Sequence, residues 1–267
     1  VKLQFSDEQR AAFMERAAHF ERSRPRLTLR FDDLDLRMDV ATRLSTWRVL
    51  DYFTKEPETI AWIATMGEGD VLFDVGANVG LYSVWAAATR PVSVCAFEPE
   101  AGNYATLMEN LRANKLTDRV QAFCLGVSDV ARIGAMEVKD GPAGQSGHQV
   151  QVARSAKFHV GGGKSQQGTV TFPLDDLVYQ RGLPCPTHLK VDVDGIEHAV
   201  IGGARRLIAD RRLKSVMIEL ILQNDFHRPI IDLLVASGFD KDDAMEQAVR
   251  EKTGGVAFTG NILFTRP

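Results

Sequence analysis

The stretch LFDVGANVGLYS at residues 72–83 constrains this chain more than any other. A short apolar run leads Asp74 into a turn carrying Gly76 and Gly80, and the chain then enters a segment of helical spacing. Glycine at those two positions lets the backbone approach a ligand closely, and the start of the following helix offers unpaired N–H groups. The pattern downstream repeats the theme. Apolar runs at 71–75, 92–97, 120–125, 189–193 and 215–220 alternate with helix-like segments at 81–89, 103–114, 199–209 and 229–237, and 261–265 reads as a closing strand. The predicted fold is α/β, a Rossmann-like, doubly wound and mostly parallel sheet.

Ahead of this sheet, residues 6–22 open with a Ser-x-x-Gln capping pattern and place Phe13, Ala17 and Phe20 at helical spacing. Residues 26–40 alternate as a hairpin, with Leu27, Leu29 and Phe31 followed by Leu34, Leu36 and Met38. Residues 1–54 are therefore expected to form a short helix and hairpin extension packed on a core domain of 55–267. Residues 140–168 break the alternation with Gly, Ser and Gln, including Gly161, Gly162 and Gly163 in a row. They read as a mobile insertion, either a disordered excursion or a lid over substrate.

The glycine turn does not fit a dinucleotide, because G-x-G-x-x-G begun at Gly76 requires glycine at Asn78 and at Leu81. The spacing Asp-x-Gly-x-Asn-x-Gly suits a cofactor with a sugar and an amino-acid tail but no phosphate. Glu98 closes the second strand in AFEPE, about 20 residues after the turn, where an acid receives two ribose hydroxyls. Asn103 opens the next helix as its cap or as a cofactor contact. Ser128 and Asp129 follow the third strand in a polar turn, either beside an adenine or an ordinary turn.

Taken together, these blocks resemble the FkbM family of methyltransferases. KEPET (55–59), FDVGANVGLYS (73–83), AFEPE with Asn103 and Tyr104, LDDL (174–177), HLKVDVDGIEHAVIGGA (188–204) and the final NILF carry the resemblance in order and spacing. It implies a class I methyltransferase fold with S-adenosylmethionine held by Asp74, Gly76, Asn78, Gly80 and Glu98, and with the Ser128–Asp129 turn near the adenine. It also implies O-methylation of a sugar, a glycan or a secondary metabolite. N- or C-methylation of a small molecule, or a non-catalytic S-adenosylmethionine-binding module, are the alternatives. Residues 1–54 and 140–168 match the family weakly, and substrate selection is expected there.

The reacting end is expected in KVDVDGIE, where Lys190, Asp192 and Asp194 alternate along one face of a strand. In a doubly wound sheet this fourth strand neighbours the first, which brings Asp192 to the cofactor. The acceptor proton is expected to pass to Asp192 or Asp194, or else to His227, while Lys190 orients a carboxylate or the acceptor oxygen. Plainer readings stand beside these: a Lys190–Asp link that only ties strand to helix, and Glu197 and His227 as helix-start residues. Glu56 touches the methionine amino group or opens a helix. Binding of a divalent cation by Asp192, Asp194 and Glu219 is the alternative to a metal-free site.

Charge narrows the partners. With 32 Lys and Arg against 35 Asp and Glu, the chain has no cationic excess to neutralise a phosphate backbone, so a small acceptor is expected rather than nucleic acid. Cys95, Cys124 and Cys185 form no C-x-x-C pair, which speaks against a disulfide framework and a structural zinc. Without an apolar run long enough for a bilayer or a signal peptide, a cytoplasmic location is expected.

Overall fold

A computed structural model describes residues 5–138, 149–150, 165–193, 195–221, 227–252 and 259–266. The N-terminal part comprises α1 (Asp7–Ser23), β1 (Arg26–Phe31), β2 (Leu34–Asp39), α2 (Arg43–Leu50), α3 (Tyr52–Lys55) and α4 (Pro57–Ala64). The first half of the central sheet follows with β3 (Val71–Val75), α5 (Leu81–Thr89), β4 (Ser93–Phe97), α6 (Ala101–Ala113) and β5 (Val120–Phe123). A small sheet comes next, with β6 (Gly126–Val127), β7 (Arg132–Val138), β8 (Gln149–Val150) and β9 (Ser165–Phe172), and leads into α7 (Leu174–Tyr179). The second half contains β10 (His188–Val191), α8 (Glu197–Gly202), α9 (Arg205–Ala209), β11 (Ser215–Ile221), α10 (Arg228–Ala236), β12 (Asp240–Lys241), α11 (Asp243–Lys252) and β13 (Thr259–Thr265).

The central sheet runs β12-β13-β11-β10-β3-β4-β5, with β3, β4, β5, β10 and β11 mutually parallel and β13 antiparallel to β11 and β12. This is a mixed α/β fold whose central sheet resembles class I methyltransferase topology. From β3 the chain steps outward to β4 and β5, then returns to lay β10 against the other side of β3. The order reverses at the β3–β10 pair, so loops diverge there and leave a crevice at the carboxyl ends.

Both faces of the sheet are covered, which is why its strands read as nearly unbroken apolar runs. On one face Phe73, Val75, Leu189, Val191 and Ile218 join a cluster with Leu174, Val200, Leu207 and Leu234. On the other, Leu72 and Ala96 pack with Val84, Leu107 and Leu111. Each such side chain contributes roughly 1.5–3 kcal/mol by leaving water.

The hairpin and α2 bring Leu36, Met38 and Val49 into that second cluster. Asn110 of α6 accepts from the Asp39 N–H at 2.7 Å, and Asn114 bonds both backbone groups of Arg37. The first helix behaves differently from the expected accessory layer. Its Ser6–Gln9 capping box forms, yet it buries no residue, and Phe13, Met14 and Phe20 are exposed.

Other boundaries also moved. The single helix expected over 199–209 is two, α8 and α9, interrupted where Gly203 meets the Ser128 carbonyl; a Cβ at Gly203 would sit 2.2 Å from that oxygen. The fourth strand ends at Val191 rather than at 193. Residues 165–168, placed in the insertion by composition, belong to β9, which pairs with β7 from Arg132↔Thr171 to Val138↔Ser165. Backbone pairing there outweighs a side-chain sequence of Ser, Gln and Gly. Residues 140–148 and 151–164 of the expected insertion lie outside the described residues. Among the described residues, no helix is long and apolar enough to cross a membrane.

Candidate active site

The glycine turn after β3 is fixed by the protein's own packing. Gly76 has φ +88°, and a Cβ there would lie 1.8 Å from the Asp192 carbonyl oxygen. Gly80 has φ +83°, and its Cβ would strike Leu107 of α6 at 2.1 Å. Only glycine combines such a left-handed backbone with contacts this close. The N–H groups of Gly76 and Ala77 both donate to the Phe97 carbonyl at 3.0 Å, so the turn folds over the end of β4.

Beside this turn opens a cleft of about 900 Å³, lined among others by Phe97, Glu98, Pro99, Asn103, Leu125 and Val127. Glu98 is its fixed point. One carboxylate oxygen accepts from the Asn78 N–H and the other from the Glu100 N–H, each at 2.8 Å, and the Asn103 side chain bonds it as well. Burial nevertheless raises its pKa to about 7, because desolvation of the charge outweighs those bonds. Asn103 is not the cap of α6. Glu100 fills that role, accepting from the Gly102 and Asn103 N–H groups at 2.9 and 2.6 Å. Ser128 and Asp129 stand behind the cleft wall formed by Gly126 and Val127. The Ser128 hydroxyl is buried and donates to Asp129 at 3.2 Å.

A second cleft of about 500 Å³ adjoins the first, sharing Arg48, Lys55, Gly76, Asn78 and Asp192 with it. Its other lining residues include Glu56, Tyr82 and Lys190. Lys190 is 1 % exposed, donates to Asp192 at 2.8 Å and lies 4.8 Å from the centre of the Tyr82 ring. Burial works against its charge, but Asp192, Glu56 and Asp74 together hold its pKa above the ordinary lysine value. Glu56 opens α4 by position, yet its side chain makes no backbone cap. It accepts instead from Lys55 at 2.8 Å, from Asn261 at 3.0 Å and from Thr59 at 3.3 Å. Burial would raise its pKa; the Lys190 and Lys55 charges lower it to about 2.

Asp74 is fully buried behind both clefts. Its Oδ2 accepts from the Ser83 hydroxyl at 2.6 Å, while Oδ1 has no hydrogen-bond partner, and burial raises its pKa against the pull of Lys190. His227 lies away from both clefts. Its Nδ1 accepts from the Ile221 N–H at 2.7 Å, and its Nε2 faces Glu197 at 3.5 Å, a buried pair that joins the end of β11 to the start of α8. Glu197 also accepts from the Gly195 N–H at 2.9 Å. The structure thus gathers Lys190, Asp192, Glu56, Asn78 and Glu98, and sets His227 apart. Asp194 lies outside the described residues.

Sequence reasoning missed Arg48, Lys55 and Tyr82 as lining groups, and weighed Glu219 only as a metal ligand. A carboxylate inside SVMIELI, an otherwise apolar strand, marked Glu219 as a residue kept for a purpose. Arg48 had no such mark, since it comes from a segment with no motif. Among the described residues, no group of three or more His, Cys, Asp or Glu is placed to hold a metal ion.

The donor set suits S-adenosylmethionine. A buried carboxylate in a cleft with apolar walls matches a nucleoside with two free ribose hydroxyls. A neighbouring cleft with both cations and carboxylates, Arg48 and Lys55 beside Glu56 and Asp192, matches a zwitterionic amino-acid tail.

The family model described as the methyltransferase FkbM domain matches residues 74–247. The 31-O-demethyl-FK506 methyltransferase FkbM of Streptomyces tacrolimicus is 29% identical over 193 residues, covering 64% of this chain and 73% of that protein. The hexuronic acid methyltransferase AglP of Haloferax volcanii is 27% identical over 188 residues, covering 69% and 70%. A crystal structure of methyltransferase FkbM from Methylobacillus flagellatus aligns with a TM-score of 0.46 and 16% identity, covering 75% of this chain and 44% of that one.

Proposed function

The chain belongs to the FkbM methyltransferase family, and from that premise we propose that it moves the methyl group of S-adenosylmethionine to a hydroxyl of a small-molecule or glycan acceptor. The observation that carries this reading is Glu98, a buried carboxylate pinned by two backbone N–H groups at the carboxyl end of β4 and turned into a cleft of nucleoside size. The reading takes the sheet as doubly wound in the Rossmann-like manner, with the cofactor at the reversal between β3 and β10. The O-methyl chemistry rests on the hydroxyl-bearing acceptors named for the two relatives, a 31-O-demethyl macrolide and a hexuronic acid.

S-adenosylmethionine, when bound, supplies an electrophilic methyl group on a sulfonium. Glu98 receives the ribose hydroxyls, in worth roughly 1.5–3 kcal/mol per bond to a charged acceptor. The turn from Gly76 to Gly80, with Asn78, holds the sugar and the start of the tail. Asp74 supports that turn from behind through Ser83. Arg48, Lys55, Glu56 and Asp192 take the two charged groups of the tail, and Lys190 keeps Asp192 in place. The Ser128–Asp129 turn braces Gly126 and Val127, which form the wall on the adenine side.

Transfer discharges a cation, so the chain has no large new charge to stabilise. Its work is alignment, which supplies up to roughly 7–11 kcal/mol, and acceptance of the hydroxyl proton, which adds about 10² to 10⁴ in rate. A carboxylate at the carboxyl ends of β10 and β11 takes that proton. Asp192 and Asp194 are the sequence-based candidates. His227 serves in this reading as a brace, since both ring nitrogens are engaged within the protein.

Calorimetry on the full chain tests the cofactor. S-adenosylmethionine is expected to bind and NAD not to bind, and Glu98→Ala should weaken the former about 100-fold or more. Binding of NAD alone, or an unchanged Kd in Glu98→Ala, removes the reading.

A further inference from the structure

A third cavity, of about 950 Å³, lies on the β11–β13 side of the cofactor clefts and shares Glu219 and Lys55 with the first of them. Its floor and walls include Glu56, Glu58, Met245, Val249 and Asn261. Glu219 and Asn261 are cross-strand neighbours in the β11–β13 register, so their side chains leave the sheet on the same face.

Two groups lining this cavity have side-chain acceptors with no hydrogen-bond donor among the described residues. Asn261 is 3 % exposed; its amide N–H group donates to Glu56 at 3.0 Å, but its Oδ1 accepts nothing. The Glu219 side chain, half-buried, makes no hydrogen bond among the described residues, whereas those of Glu98, Glu56, Asp192 and Glu197 are each tied down. A buried acceptor without a donor, as at Asn261, costs about 1–3 kcal/mol, and with the half-buried Glu219 carboxylate beside it in the same cavity it calls for a ligand rich in O–H groups.

We propose that this cavity binds an uncharged, polyhydroxylated acceptor such as a neutral glycosyl unit, and that Glu219 accepts the proton of the hydroxyl being methylated. The proposal rests on the methyltransferase reading above. One acceptor hydroxyl donates to Asn261 Oδ1, while Met245 and Val249 offer an apolar surface to the C–H face of a sugar ring. An acceptor bearing its own carboxylate meets Glu56, Glu58 and Glu219 with only Lys55 opposing them, and is disfavoured. In the transfer the acceptor oxygen forms the bond to the methyl carbon, the carbon–sulfur bond breaks with its electron pair going to sulfur, and the O–H proton passes to Glu219 and then to water.

Glu219 is suited to that task. Burial raises its pKa to about 8; the charges of Asp192 and Glu56 raise it too, and those of Lys190 and Lys55 oppose the rise. A proton acceptor works best with a pKa near the working pH. Asp192, by contrast, is held by the Lys190 ammonium at 2.8 Å.

The experiment uses the full chain saturated with S-adenosylhomocysteine, with methionine methyl groups labelled with ¹³C and the Met245 resonance assigned through Met245→Leu. Methyl α-glucopyranoside is expected to shift that resonance and methyl α-glucuronide to leave it in place. With S-adenosylmethionine and the glucoside, Glu219→Gln should lower kcat at least 100-fold and abolish its rise toward pH 8, with the Kd for S-adenosylhomocysteine within twofold of the parent. An unmoved Met245 signal, an equal response to the glucuronide, or a retained pH limb in Glu219→Gln overturns this inference while cofactor binding upholds the methyltransferase reading. Failure of the parent protein to bind S-adenosylmethionine overturns both.

Discussion

The two sides of the crevice solve the burial of polar groups in opposite ways. On the β4 side, Glu98 is surrounded by donors from the chain itself, two backbone N–H groups and Asn103. On the β11–β13 side, neither the half-buried Glu219 carboxylate nor the Asn261 side-chain oxygen has a hydrogen-bond donor among the described residues. A site that binds one invariant ligand gains from being rigid in advance, since less ordering remains to be done at binding. A site left with open acceptors draws its specificity from the ligand, because a molecule lacking the matching hydroxyl leaves a buried group unpaired. Under the proposed function, the β4 side thus suits a fixed cofactor and the β11–β13 side selection among acceptors.

The sharpest way to break this contrast is to remove the charge that stands between the two sides. Lys190→Met strips the buried counter-charge from Asp192, Glu56 and Asp74, and should cost about 3–5 kcal/mol of unfolding free energy in urea denaturation. A loss under about 1 kcal/mol means that the three carboxylates are not organised around Lys190. A pH titration of cofactor binding sharpens the comparison further. Because the role proposed for Glu98, accepting two ribose hydroxyls, needs its ionised form, the Kd for S-adenosylmethionine should fall up to about tenfold per pH unit as pH rises toward 7, then level off. Folding of the ligand-free protein should respond with the opposite sign. A carboxyl whose folded pKa lies above its unfolded value stabilises most below about 4.5, and that contribution is lost as pH rises through about 7. Glu98→Gln should flatten both curves; if the binding curve persists in that variant, another group carries it. The smallest effect is expected from Arg48→Ala, which takes away one cation at the rim shared by the two cofactor clefts. It should weaken S-adenosylmethionine only several-fold by calorimetry, as suits a solvated charge contact. No change there limits the role of the N-terminal segment to packing.

The same division governs what could be read from the sequence. The parallel strands and the glycine turn were legible because burial on both faces leaves long apolar runs, and because Gly76 and Gly80 are demanded by local backbone geometry. The place of Glu98 just after β4 and against that turn was legible from its distance to the glycines. The β11–β13 cavity was not, because its groups are brought together by β11–β13 pairing across more than forty positions of sequence, Glu219 to Asn261, and no short motif records that contact. The β7–β9 pair escaped for a related reason: its ladder is made by main-chain bonds, while SQQGTVTF carries little apolar alternation. The exposed first helix is the converse case, a segment whose capping box spelled out its local structure but not its contacts, since local geometry alone sets a cap.

The backbone contact between Gly76 and the Asp192 carbonyl reaches further than its local cause. It welds the loop after β3 to the loop after β10 at a separation that admits no side chain. One of these loops lies on the β3–β4 side of the crevice and the other on the β10–β11 side. Their spacing therefore behaves as a ruler graduated in main-chain atoms. Under the proposed function, side chains in the β11–β13 cavity can be exchanged, and the range of molecules admitted can drift over generations, without resetting the gap that a transferred methyl group would cross.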